Sequence, residues 1–115
     1  MRTYLPAFSI ALILLACLNA LPAEVNKAAR RASQLYGRYC ISCHGSDGRA
    51  RTSKGKYGHA RDLTDAHWQD DASDERIFNS IMNGRNVRGN MPSFSNKINQ
   101  PEAESLVEYV RRLRK

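Results

Sequence analysis

The chain has 115 residues, with 18 Lys and Arg against 11 Asp and Glu and a net charge of +7. That length holds one small domain, and no repeat, low-complexity tract or second boundary divides it. A surplus of this size points to an acidic protein partner or an anionic membrane surface.

Residues 1–23 read as an export signal rather than as part of the fold. Arg2 forms a minimal positive start, Ala7 to Leu18 is an apolar run too short to span a bilayer, and Ala20 and Ala23 are small residues suited to a cleavage site. Two other readings of the leader exist: an uncleaved anchor, or a lipoprotein signal in which Leu14-Leu15-Ala16-Cys17 resembles a lipobox and Cys17 carries the lipid. All three export the protein, placing it in the periplasm or an equivalent space away from nucleic acid. Membrane contact then requires a tether through Cys17 or the leader. Removal of residues 1–23 takes away one of the 18 basic residues and none of the 11 acidic ones, leaving 92 residues with a net charge of +6. A chain of that size needs a staple beyond its own core.

Glu24 to Tyr39 shows helical periodicity, with Val25, Ala28, Ala29, Ala32, Leu35, Tyr36 and Tyr39 on one stripe. The stripe leads directly into Cys40-Ile41-Ser42-Cys43-His44. Two thiols one turn apart suit thioether bonds to the two vinyl groups of a porphyrin, and the adjacent imidazole suits the iron below it. This is the staple the chain calls for. Rival readings are weaker. A zinc site built from Cys40, Cys43, His59 and His67 has no familiar spacing. A redox dithiol calls for a βαβ pattern that is missing. A Cys40–Cys43 disulfide closes too small a loop to stabilise much.

Gly45 to Gly58 is rich in Gly and small polar residues and reads as a loop, long enough to wrap a prosthetic group. Thr64 or Asp65 can cap a short turn that holds His67 and Trp68. Ser73 to Asn83 reads as a helix capped by Ser73, with Ile77, Phe78, Ile81 and Met82 inward and Asn83-Gly84 ending it. A second loop carries Met91-Pro92. The last helix runs from Gln100 to about Arg114, with Asn99 and Glu102 at capping-box spacing and Leu106, Val107, Tyr109, Val110 and Leu113 inward. No stretch alternates for long, so the expected class is all-α, three to four helices with no sheet of consequence.

These residues resemble the class I cytochrome c family, the small bacterial monohaem kind, over about residues 24–115. Cys40 to His44 matches the attachment motif. Met91-Pro92-x-Phe94, with Met91 placed 47 residues after His44, is similar to the sixth-ligand loop. Leu106-x-x-Tyr109 resembles the terminal-helix contact, with Ala32 and Tyr36 as partners on the first helix. The resemblance implies helices packed around one covalently attached haem c, with iron held by His44 and Met91. It also implies one-electron transfer between larger redox proteins, not catalysis. A peroxidase-type enzyme with a labile sixth ligand and His59 as distal acid–base group is the alternative. Met82 lies at core spacing on a helix and reads as packing. The family's loop usually carries a proline whose carbonyl accepts the proximal imidazole N–H. No proline occurs between His44 and Met91, and Ala60 is the expected acceptor. Arg61 and Trp68 are the candidates for a haem propionate, a buried carboxylate that needs donors. Arg38, Arg49, Arg51, Lys54 and Lys56 beside the attachment motif, with Arg85, Arg88 and Lys97 beside the Met91 loop, form a candidate rim for an acidic redox partner.

Overall fold

The structure, a computed structural model, describes the backbone of residues 7–115 and the side-chain surroundings of residues 22–115. The Arg2 segment and the Cys17 side chain, on which the leader readings turn, lie outside those residues.

Among the described residues six helices follow in order: α1 (Ala7–Tyr39), α2 (Ile41–His44), α3 (Ser53–Tyr57), α4 (Ala66–Asp71), α5 (Asp74–Asn83) and α6 (Gln100–Arg112). Three of them, of 4, 5 and 6 residues, are single turns. The three long ones are the periodic segments seen in the sequence. The first is longer than expected: Glu24 is not a start, because the helix is continuous from Ala7 and contains Pro22. No helix among the described residues is long and apolar enough to cross a membrane. The only strand-like pairing described is an isolated antiparallel bridge between Arg85 and Met91.

Local chemistry sets the helix starts. Ser73 accepts from the Arg76 amide at the start of α5, with Asp74 and Glu75 in its first turn. At α6 the capping box closes in both directions: Asn99 Oδ1 accepts from Glu102 N at 3.0 Å, and Glu102 Oε2 accepts from Asn99 N at 3.0 Å. Asp65, not Thr64, caps α4, accepting from Trp68 N at 2.7 Å.

The core joins Leu35 and Tyr36 of α1, Ile77 and Ile81 of α5, and Ala103, Leu106, Val107 and Val110 of α6, with Leu63, Ala72 and Ile98 from the connections. α1 packs most extensively on α6 and α5 also leans on α6. Ala32 and Ala103, both wholly buried, keep the backbones of α1 and α6 free of bulk on their inner faces. The rings of Tyr36 and Tyr109 sit 4.7 Å apart and tilted by 31°, the helix contact anticipated from the sequence. Half-buried apolar side chains pack against this core, among them Tyr39, Cys40, Trp68, Met82, Met91 and Phe94.

Candidate functional site

α1 delivers the two cysteines. The Cys40 amide still donates to Tyr36 O at 2.9 Å, so the attachment turn prolongs the first helix, and His44 N donates to Cys40 O at 2.9 Å. The helix stops at Gly45, whose φ of 77° is left-handed. Tyr36, only 1 % exposed, donates its hydroxyl proton to Gly45 O at 2.8 Å and pins the carbonyl just past His44. Burial drives the Tyr36 phenol above its ordinary value, with the nearby Cys40 a lesser cause, so it stays a donor.

Beyond Gly45 the expected loop contains a helical turn. Thr52 caps α3 by accepting from Gly55 N at 2.8 Å, and its own hydroxyl reaches Ser42 O at 2.7 Å and Cys43 O at 3.1 Å. Gly55 is buried against the same turn: a Cβ there would lie 2.1 Å from Cys43 O. α3 therefore packs its backbone onto the attachment turn. The two glycines of Ser53-Lys54-Gly55-Lys56-Tyr57-Gly58 mark close approach and termination rather than disorder of the chain.

The His44 ring is oriented by the following segment. Its Nδ1 stands 2.9 Å from the carbonyl oxygen of Arg61, one residue beyond the expected Ala60. A carbonyl can only accept, so Nδ1 carries the proton and Nε2 keeps its lone pair. Burial lowers the His44 pKa from its ordinary value, which favours the neutral ring that can ligate a metal; the Arg61 carbonyl opposes this in part. Burial, with Cys43 adding to it, pushes the Cys40 thiol up to about 12. Reactive dithiols are depressed instead, the opposite direction to that of Cys40. The zinc set is not assembled. Among the described residues no three His, Cys, Asp and Glu side chains gather to hold a metal ion. His67 instead pairs with Asp71 at 3.1 Å on the exposed face of α4.

The second loop fixes the backbone of Met91. Arg85 N donates to Met91 O at 2.9 Å, Met91 N donates to Arg85 O at 3.0 Å, and Phe94 N donates to Ile81 O at 3.0 Å. Ser93 Oγ bonds the Met82 carbonyl. The side chains of Met91 and Met82 are both half-buried on the core. The two loops meet: a Cβ on Gly89 would lie 2.1 Å from Gly58 O and 3.3 Å from the Cβ of His59. Phe94 also faces Tyr39 at 5.8 Å between centroids, with the Lys97 ammonium 5.7 Å from each ring. Trp68 is half-buried on the core. The Arg61 side chain is exposed, and it is the main chain of Arg61 that enters the site.

Two thiols on one turn, a neutral imidazole presenting Nε2, and half-buried apolar side chains beside them fit a covalently attached porphyrin. Thr52, Gly55 and Tyr36 support the site and were not singled out for this from the sequence, because each acts on a carbonyl distant in the chain. The pattern Thr-x-x-Gly, a cap followed by a residue with no side chain, is the one local signal of the α3 contact.

A family profile for cytochrome c oxidase, cbb3-type, subunit III matches residues 27–110. The subunit FixP of a cbb3-type cytochrome c oxidase from Azorhizobium caulinodans is 28% identical over 86 residues, which is 75% of this chain and 27% of that protein. The chain thus spans about a quarter of that relative's length. The solved KustC0563 c-type cytochrome is 37% identical at a TM-score of 0.65, covering 73% of this chain and 98% of that one. A tyrosine-to-phenylalanine mutant of the same cytochrome is 35% identical at a TM-score of 0.62, covering 72% and 98%. None of these favours the peroxidase alternative. The all-helical fold, the attachment turn and these likenesses agree, and the chain belongs to the cbb3-type subunit III family of c-type cytochromes, the class I monohaem kind that binds haem c covalently and transfers electrons.

Proposed function

We propose that this chain carries single electrons between larger proteins of a respiratory chain, on the exported side of the membrane. In this reading Cys40 and Cys43 would hold the haem, and His44 and Met91 would ligate its iron. Bound haem supplies a reversible one-electron couple. The protein's own part is to fix the ligands and exclude water. The observation that carries the reading is the His44 ring, neutral and turned by Arg61 O so that Nε2 is presented. The doubly bonded Met91 backbone supports a ligand with little freedom to leave. Residues 1–23 are the export signal and 24–115 the functional domain. Arg61, with its exposed side chain, and Trp68 would offer hydrogen-bond donors to a haem propionate. The chain catalyses no reaction of its own.

Intact mass and an optical spectrum test this. The exported protein gains the mass of one haem, and the oxidised form shows a weak near-red sulfur-to-iron band. Met91→Ala removes the band and lowers the potential, because thioether sulfur favours reduced iron. Loss of the band in Met82→Ala but not in Met91→Ala assigns the ligand to the other methionine.

The partner in this reading is an acidic redox protein. Arg38, Arg51, Lys54, Lys56, Arg85, Arg88 and Lys97 are all exposed. The Gly58–Gly89 approach joins the two loops that bear most of them. Tyr57 and Val87, 91 % and 73 % exposed, stand on the same two loops and offer apolar contact inside the basic rim.

A further inference from the structure

The carbonyl that turns His44 belongs to a segment with no proline to stiffen it. Something else holds residues 61–64, and the bonds can be traced. Leu63 N donates to Gly48 O at 2.7 Å. Thr64 N and Thr64 Oγ1 both donate to Asp62 Oδ1, at 2.8 and 2.7 Å, and Lys115 N donates to Thr64 O at 3.0 Å. Leu63 O accepts from the side chain of Gln69 at 2.8 Å.

Gln69 stands out among these partners. It lies on α4, a helix of six residues, and is 3 % exposed. Both of its amide protons and its oxygen are bonded. Nε2 donates to Leu63 O and, at 2.9 Å, to Val110 O of α6, while Oε1 accepts from Arg111 Nη1 at 2.9 Å. The same guanidinium donates to Gln69 O, to Ala72 O and to Asp74 Oδ1. Arg111 thus locks the amide in one orientation and ties α4 to both α5 and α6. A buried amide is costly wherever its bonds are not all made, and an apolar residue of similar volume fills such a space without that risk. What the amide does that leucine cannot is grip the Leu63 carbonyl, two residues from the acceptor of the His44 proton.

We propose that Gln69, clamped by Arg111, is the positioning residue for the proximal ligand: it immobilises the segment that presents Arg61 O and thereby sets the strength of the His44 Nδ1–H bond. A firm bond there raises the basicity of the ligating nitrogen and favours oxidised iron, as outer partners of ligating histidines do. The inference rests on His44 being the proximal ligand.

The test uses the haem-loaded full chain and two readouts, solvent exchange of the His44 Nδ1 proton, followed as a hyperfine-shifted NMR resonance, and the reduction potential. Gln69→Leu keeps the volume and removes both donated bonds. It accelerates exchange about tenfold, the factor that goes with one net hydrogen bond, and raises the potential. Arg111→Lys keeps the charge, loses the fork, and shifts both readouts in the same direction; it carries the test if the leucine variant fails to mature. Arg114→Gln breaks the pair between the segment just past the end of α6 and Asp70 of α4, without touching Gln69, and leaves both readouts at wild type. A drop in melting temperature with unchanged exchange and potential in both Gln69→Leu and Arg111→Lys overturns the proposal. So does an Arg114→Gln variant that behaves as Gln69→Leu does, since that makes the effect one of general loosening. If the wild type itself shows no hyperfine-shifted Nδ1 proton, the ligand reading fails instead.

Discussion

Replacing Gly55 by alanine should damage the attachment turn, while the same replacement at Gly37 should stabilise the protein. At Gly55 the new Cβ would stand 2.1 Å from Cys43 O, 2.9 Å from Thr52 Oγ1 and 3.0 Å from Ala50 O. Two of these are backbone oxygens, and one belongs to a residue of the attachment motif, so neither can swing aside as a long side chain does. Overpacking of a tight contact costs about 1–3 kcal/mol, and displacement of the Thr52 cap costs about 1 kcal/mol more. The better helix propensity of alanine returns about 1 kcal/mol. The net destabilisation is about 1–3 kcal/mol, and at ~4–8 °C per kcal/mol for a domain of this size the melting temperature falls by about 10 °C. Gly37 lies on the exposed side of α1 with nothing within 4 Å of its Cβ position. Only the propensity term acts there, a gain of about 0.5–1 kcal/mol. Thermal unfolding of the haem-loaded variants, followed by helix circular dichroism and by the haem absorption together, measures the difference. A Gly55→Ala protein as stable as Gly37→Ala would refute the close packing of α3 on the attachment turn.

Three further outcomes are expected. Tyr36→Phe leaves Gly45 O without its donor in a buried setting and destabilises by about 1–3 kcal/mol, seen as a shift of the guanidinium midpoint at unchanged slope. The Asn99 amide and Arg31 hold the Glu102 carboxyl below its ordinary 4.5. A group so lowered stabilises fully above its unfolded value and loses that contribution as pH falls through the folded one; Glu102→Gln therefore flattens the acid limb of a stability–pH curve, and Asn99→Ala costs about 1 kcal/mol at neutral pH. Stopped-flow electron transfer to an acidic redox protein slows as salt rises, since the Debye length is only about 8 Å at physiological ionic strength. A rate indifferent to salt, or one that falls only when Arg111 to Lys115 are neutralised, removes the proposed rim.

Where the physics is local, the residues announce the result. Ser73, Asn99 and Glu102 cap helices through atoms three positions away, so α5 and α6 start where their sequences place them. The facing stripes of α1 and α6, down to Tyr36 on Tyr109, follow from a period of 3.6 residues. The attachment motif is equally local, five consecutive residues whose spacing matches one porphyrin edge. The turn at Ser53–Tyr57 was hidden, because its two glycines read as breakers when they in fact admit Cys43 O and end the turn.

The acceptor for His44 moved from Ala60 to Arg61 for a related reason. Every residue offers a carbonyl, so no side chain marks which one the fold will turn toward the ring. Gln69 illustrates the same limit: on a six-residue helix beside Asp70 and Asp71 it looks like surface, and it is buried because α6 returns across it with Val110 and Arg111 from 41 and 42 positions away. Sequence by itself determined the chemistry this chain can host and the helices that frame it, since both rest on residues within a turn or two of one another. Tertiary structure alone decided which carbonyl orients the histidine, what bonds the segment that carries it and where the two loops touch, because those contacts are made through space to main-chain atoms that every residue shares.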